Sequence, residues 1–166
     1  MMNDDIAPMV SKELDKINEY LDKFENECGL PTTINNNTVN KATELLNIDF
    51  TTFKPTYEEC QEYAAILSQY LLNISRVIAK DKCIVHWAKE KIKKILVNDM
   101  KKQTAYNYEE RLAGAIQANT LASDINYAKM KAELRLLRLE PVYFNVKEIA
   151  HRLSELGKSM KGIKYD

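Results

Sequence analysis

The chain has 166 residues, 24 Lys and Arg balanced by 24 Asp and Glu, 45% hydrophobic residues, and only four glycines and four prolines. Such a chain makes one domain or one long helical unit, and its zero formal charge disfavours a simple basic-tail nucleic-acid binder and a highly charged disordered chain. So few Gly and Pro also argue against sandwiches, barrels and Gly-looped nucleotide folds.

No stretch approaches the roughly 20 apolar residues needed to span a bilayer. The start (Met1, Met2, Asn3, Asp4, Asp5) lacks the basic and apolar regions of a signal peptide. The expectation is a cytoplasmic protein with no membrane partner, whose three cysteines, Cys28, Cys60 and Cys83, are small core thiols.

Val10, Leu14, Ile17, Leu21, Phe24 and Cys28 repeat at the alternating spacing of one helix face, with Ser11 as a cap and Gly29 and Pro31 as the stop. A polar, Asn-rich connection from Leu30 to Asn37 leads to a short amphipathic helix carrying Val39, Ala42, Leu45 and Leu46, capped by Thr38 or Asn37. Thr56 with Glu59 forms a capping box just after Pro55. Cys60, Ala64, Leu67, Leu71, Ile74, Ile78, Val85, Ala88, Ile92 and Ile95 then make one heptad seam, interrupted by Asp81. A helix from Thr56 to about Lys102 would be roughly 70 Å long at about 1.5 Å per residue, which implies a rod. Tyr63, Ile66, Tyr70, Val77, Ile84 and Trp87 lie off that seam and call for a second partner, from the N-terminal helices or another subunit.

Lys101 to Asn107 is the expected reversal, with Asn107 and Glu110 opening the returning helix. Leu112, Ile116, Leu121, Ile125, Ala128, Ala132, Leu136 and Leu139 form its seam, and Ala113, Gly114, Ala115, Ala118 and Ala122 permit close approach. Pro141 predicts a kink or a one-turn interruption, after which Val142, Val146, Ile149, Leu153, Leu156 and Met160 continue the seam. Gly157 is expected to loosen the last turns and Gly162 to end them. The pattern is all-α: a long antiparallel coiled-coil helical hairpin over 56–166, preceded by a small two-helix region over 1–55.

Net neutrality hides a division. Residues 1–62 hold five lysines and thirteen acids, a balance of −8, so the remainder carries +8. Arg76 to Lys102 contains nine bases and three acids, with Lys89, Lys91, Lys93 and Lys94 in six positions. A second basic block comprises Lys129, Lys131, Arg135, Arg138, Lys147, Arg152, Lys158, Lys161 and Lys164. Side by side, these blocks would form a track for phosphates without base readout, and His86, Trp87, Tyr106, Tyr108, Tyr127, Tyr143 and Phe144 could stack on unpaired bases. The competing reading is a solvated coiled-coil face paired with the acidic N-terminal helix, in cis or in trans.

Cys83-x-x-His86 is half of a four-ligand zinc set, and Glu148-x-x-His151 is one copy of a pair that a di-iron bundle needs twice. No nucleophile pattern or phosphate loop accompanies the two histidines and four glycines. The expectation is therefore no enzyme, no cofactor and no metal.

The acidic N-terminal part, the Lys-rich long helix and the C-terminal tail resemble the UvsY-type phage recombination mediators. The matching segments are Ala88-Lys89-Glu90-Lys91-Ile92-Lys93-Lys94 and Leu153-Ser154-Glu155-Leu156-Gly157-Lys158-Ser159-Met160-Lys161-Gly162-Ile163. The resemblance implies a homo-oligomer in the host cytoplasm that binds single-stranded DNA, alters the hold of a single-strand binding protein and helps load a RecA-like recombinase. It assigns phosphate contact to Lys89, Lys91, Lys93, Lys94, Lys101 and Lys102, and subunit joining to Val146, Ile149, Leu153, Leu156 and Met160. Two other readings stand beside it: a scaffolding coiled coil with no nucleic-acid role, and a small adaptor acting through its acidic N-terminal helices.

Overall fold

A computed structural model describes residues 8–30, 34–49, 52–104 and 107–162. Pro31, Tyr106, Ile163, Lys164 and the segment Met1 to Asp5, invoked above, lie outside the described residues. The helices are α1 (Pro8–Glu27), α2 (Asn36–Leu46), α3 (Tyr57–Leu96), α4 (Tyr108–Ala118) and α5 (Thr120–Gly162), with a 3-10 turn at Met100–Lys102. The described residues contain no strand, and α3 packs against the returning α5 as a hairpin, so the fold is all-α.

Helix ends follow local chemistry, in places one or two residues from the expected positions. Pro8 opens α1, so Ser11 lies inside the helix rather than at its cap. At the other end Leu30 N–H donates to the Glu25 carbonyl (2.8 Å) and Gly29 N–H to that of Asn26 (3.0 Å). This reverse turn needs the positive φ of 67° that Gly29 supplies. Asn35, not Thr38 or Asn37, caps α2 by accepting from the Asn37 N–H at 2.8 Å. The capping box forms as expected, with Thr56 N–H donating to the Glu59 carboxylate (2.7 Å) and Glu59 N–H to the Thr56 hydroxyl (3.2 Å).

Helix α3 ends at Leu96, short of Lys102, where Asn98 and Asp99 offer side chains that compete with the helical backbone. Asn107 opens α4 by accepting from the Glu110 N–H at 2.7 Å. The return is not one helix: Asn119 leaves helical geometry (φ −122°, ψ 107°), and its side-chain oxygen then accepts from the Ala122 N–H at 3.1 Å to start α5. Pro141 sits inside α5 without interrupting it. Its missing donor orphans the carbonyl of Leu137, an exposed residue, where water can take the place of the lost bond.

Packing groups the described residues into two compact units: one from 1–30 and 79–137, the other from 31–78 and 138–166. The sequence boundary at residue 55 follows Pro55 and the Thr56 cap; packing follows which N-terminal helix docks on which stretch of α3 and α5. In the first unit Val10 of α1 joins Ala88, Ile92, Leu96, Ala115, Ala122, Ile125 and Ala128 in the core. In the second, Ala42 and Leu45 of α2 join Cys60, Leu67, Ile74, Val146, Ala150 and Leu153. Of the off-seam residues of α3, Tyr63, Ile66, Tyr70 and Trp87 pack against these cores and Ile84 is itself buried, whereas Val77 is exposed. Gly157 tightens rather than loosens the second unit: a Cβ there would lie 3.2 Å from the Cys60 Cβ and 2.6 Å from Gln61 Nε2. Only Cys60 is a core thiol; Cys28 lies past the end of α1, and Cys83 falls off the buried face that Asp81, Ile84 and Ala88 define, so both are exposed.

Candidate nucleic-acid interface

The lysines of α3 fall in the first unit, and the 3.6-residue turn of the helix sorts them onto different faces. Lys91 points to α1, its ammonium 3.0 Å from Glu13, with both side chains about one-third exposed. Lys89 is 56% exposed and lies 3.9 Å from Glu133 of α5. Lys93 is 62% exposed and pairs with Glu90 one turn back at 2.9 Å. Their hydrogen bond, followed by charge attraction, holds the Glu90 carboxyl below and the Lys93 ammonium above their ordinary values. Lys94 is exposed and forms no ion pair among the described residues, although its charge also favours ionised Glu90.

Lys101 and Lys102 belong to the 3-10 turn rather than to α3. Lys102 bonds Asp99 at 3.0 Å, and that bond, with one from Asn119, lowers the Asp99 carboxyl. Lys101 is exposed.

The six predicted lysines therefore do not share one edge. Lys89 and Lys93 share a stripe with Lys82 and His86, at i, i+4, i+7 and i+11 from Lys82, and all four are exposed. The stripe runs about 16 Å at about 1.5 Å per residue. Lys82 lies outside the dense cluster at 89–94, and its helical spacing from His86 and Lys89 is the signal in the sequence that puts it on the stripe.

The second basic block contributes less. Arg135 Nε donates to both oxygens of Asp81 at 3.1 and 3.0 Å, and its Nη2 donates at 2.5 Å. Hydrogen bonding to this carboxylate, which outweighs burial, raises the guanidinium above its ordinary value. Asp81, 3% exposed, occupies the buried series Cys60, Leu67, Ile74 and Ala88, spaced by sevens, and Arg135 is what makes a carboxylate tolerable there. Lys131 sits 4.6 Å over the Tyr127 ring, Arg152 pairs with Glu148, and Lys158 with Glu155. Of the predicted stacking residues, Trp87 is half-buried and Tyr108 exposed in the first unit. Tyr143 and Phe144 pack edge to face at 5.7 Å in the second.

Charge explains the pairing. Residues 79–137 carry twelve bases and seven acids, a balance of +5, while residues 1–30 carry three bases and eight acids, a balance of −5. The described residues of the acidic segment, 8–30, hold three bases and six acids and pack on the basic one. Glu13–Lys91 and Asp22–Lys80 (2.5 Å) join the two segments directly.

The residues assigned to subunit joining are divided by burial. Val146 and Leu153 are filled by the chain's own core, and Ile149 and Met160 pack against it. Leu156, 40% exposed, lines an apolar recess with Phe53, Pro55, Ile149, Arg152 and Leu153. Cys83 and His86, like Glu148 and His151, are exposed. Among the described residues no three His, Cys, Asp or Glu side chains are grouped to hold a metal, and no helix is long and apolar enough to cross a membrane.

No protein-family model, no curated protein and no solved structure matches the chain.

Proposed function

We propose that this is a non-enzymatic single-stranded DNA-binding protein that contacts phosphates through the outer stripe of α3. The observation that carries the reading is the exposed series Lys82, His86, Lys89 and Lys93, a basic or imidazole side chain at each successive turn. Lysine presents a compact point charge without the planar fork that reads base edges, so binding is non-specific in sequence. With three lysines on the stripe, log affinity should fall with log salt at a slope of about −2, from about 0.7 per neutralised phosphate on single strands. The resemblance to UvsY-type mediators extends the proposal to a homo-oligomer that assists a RecA-like recombinase against a single-strand binding protein.

Fluorescence anisotropy with an oligo-dT probe tests the reading. Binding should appear at about 50 mM salt, decline steeply with added salt, and drop at least tenfold in Lys89→Glu/Lys93→Glu. No binding at that salt, or binding unchanged by the substitutions, rejects it.

A scaffolding role is the second reading, favoured by an exposed apolar ridge on α5. Met130, Leu134 and Leu137, at i, i+4 and i+7, are 49%, 63% and 72% exposed. It predicts association that survives Lys89→Glu/Lys93→Glu and is lost in Leu134→Lys.

A further inference from the structure

The stripe described above is not the only basic face of α3. Lys80, Trp87 and Lys91 follow one another at i, i+7 and i+11, so they share a second face of the helix. Two lysines flanking an aromatic ring is the composition of a single-strand site, in which ammonium groups hold phosphates and the ring stacks a base. In this structure α1 lies along that face. It runs antiparallel to α3, since Glu13 meets Lys91 and Asp22 meets Lys80, and each carboxylate occupies the place of a phosphate oxygen on its ammonium.

The hold of α1 is partly electrostatic. Val10 is its one buried residue, with Leu14 packed beside it, while Met9, Tyr20 and Phe24 are exposed. Beyond its first two turns, α1 is positioned largely by half-buried contacts and two partly buried ion pairs, with Lys80 19% and Asp22 44% exposed. Salt screens such pairs only weakly, whereas a polyanion that brings its own phosphates to both ammonium groups can exchange with the carboxylates.

We infer that α1 is a displaceable acidic cover over a second single-stranded DNA site formed by Lys80, Trp87 and Lys91. The inference rests on the DNA-binding reading above and adds its regulation: strand phosphates exchange with Glu13 and Asp22, and a base stacks on Trp87 once α1 lifts. The outer stripe captures the strand first, and the covered face lengthens the contact.

Two pairs of substitutions in the full-length chain break the same ion pairs from opposite sides. Glu13→Gln/Asp22→Asn should tighten oligo-dT binding about tenfold, whereas Lys80→Gln/Lys91→Gln should weaken it. A merely structural role for the pairs predicts that both variants shift affinity in the same direction, and that result overturns the inference. Trp87 is the sole tryptophan, so its fluorescence reports on this face alone. Quenching by oligo-dT is expected. Binding that is lost in Lys89→Glu/Lys93→Glu yet leaves Trp87 emission unchanged would overturn the cover while leaving the outer stripe intact. Absence of binding in both the parent chain and Glu13→Gln/Asp22→Asn rejects the cover and the DNA reading together.

Discussion

The two units solve the same packing problem with different side chains. Four of the eight core residues in the first unit are alanines, which bring α3, α4 and α5 close, and its one buried carboxylate is neutralised by Arg135. The second fills its core with Leu45, Cys60, Leu67, Ile74, Val146 and Leu153, and closes α5 onto α3 at Gly157. Their charges differ in the same way. Both units sum to zero, but the first does so by setting −5 in residues 1–30 against +5 in residues 79–137. In the second, residues 31–78 carry three bases and five acids, and residues 138–166 six bases and four acids. The proposed exchange of α1 for a strand draws on that separated and re-paired charge, for which bulky apolar packing offers no counterpart. The difference sets the segregated charge of the first unit against the bulkier apolar core of the second.

If the second unit is held by bulk and the first by close approach, opposite changes of volume should damage them. Leu67→Ala should cost about 4 kcal/mol, since it removes a fully buried side chain from a well-filled core. Amide exchange should rise in residues 57–78 and 138–162. Ala122→Leu should cost about 2 kcal/mol by overpacking, with the increase in residues 79–96 and 120–137. Equal and diffuse effects from both changes would remove the distinction.

Arg135→Ala tests the polar element of the first unit. It should cost about 3 kcal/mol, near the low end for a broken buried pair because Arg135 is half exposed, as read from chemical denaturation. Asp81→Leu/Arg135→Leu should recover most of that loss.

Thiol reactivity gives the smallest readout. Cys28 and Cys83 should react with a maleimide at once, and Cys60 only as the second unit opens. Burial, aided by the Glu59 charge, pushes the Cys60 thiol up. The stability drawn from its neutral form is therefore complete below about pH 9 and lost as pH rises through the elevated value. The unfolding midpoint should decline modestly on that alkaline limb and be restored in Cys60→Ala relative to its own neutral-pH value.

Much of the fold was legible in the sequence because helices are local objects. The capping box at Thr56 and Glu59, the Asn107 cap, the reversal after the Lys-rich stretch and the all-α class each rest on contacts within a few residues of one another. The break at Asn119 was less visible, since an Asn within an otherwise helical pattern declares itself only when its side chain turns to cap the next helix. Asp81 stood out as a polar residue in an apolar seam, but its partner 54 positions away did not. The candidate interface was legible only as a density of charge, because a list of lysines carries no direction.

By itself the sequence determined the helices, their approximate ends and the segregation of acid from base, for these depend on periodicity, capping and composition along the chain. The tertiary structure alone decided which lysines face solvent, which meet α1, and which apolar residues the chain keeps for its own core. Those outcomes depend on helix rotation and on which helix docks where. A turn of about 100° per residue carries neighbouring lysines to separate faces, and only the packed partners say which face remains open.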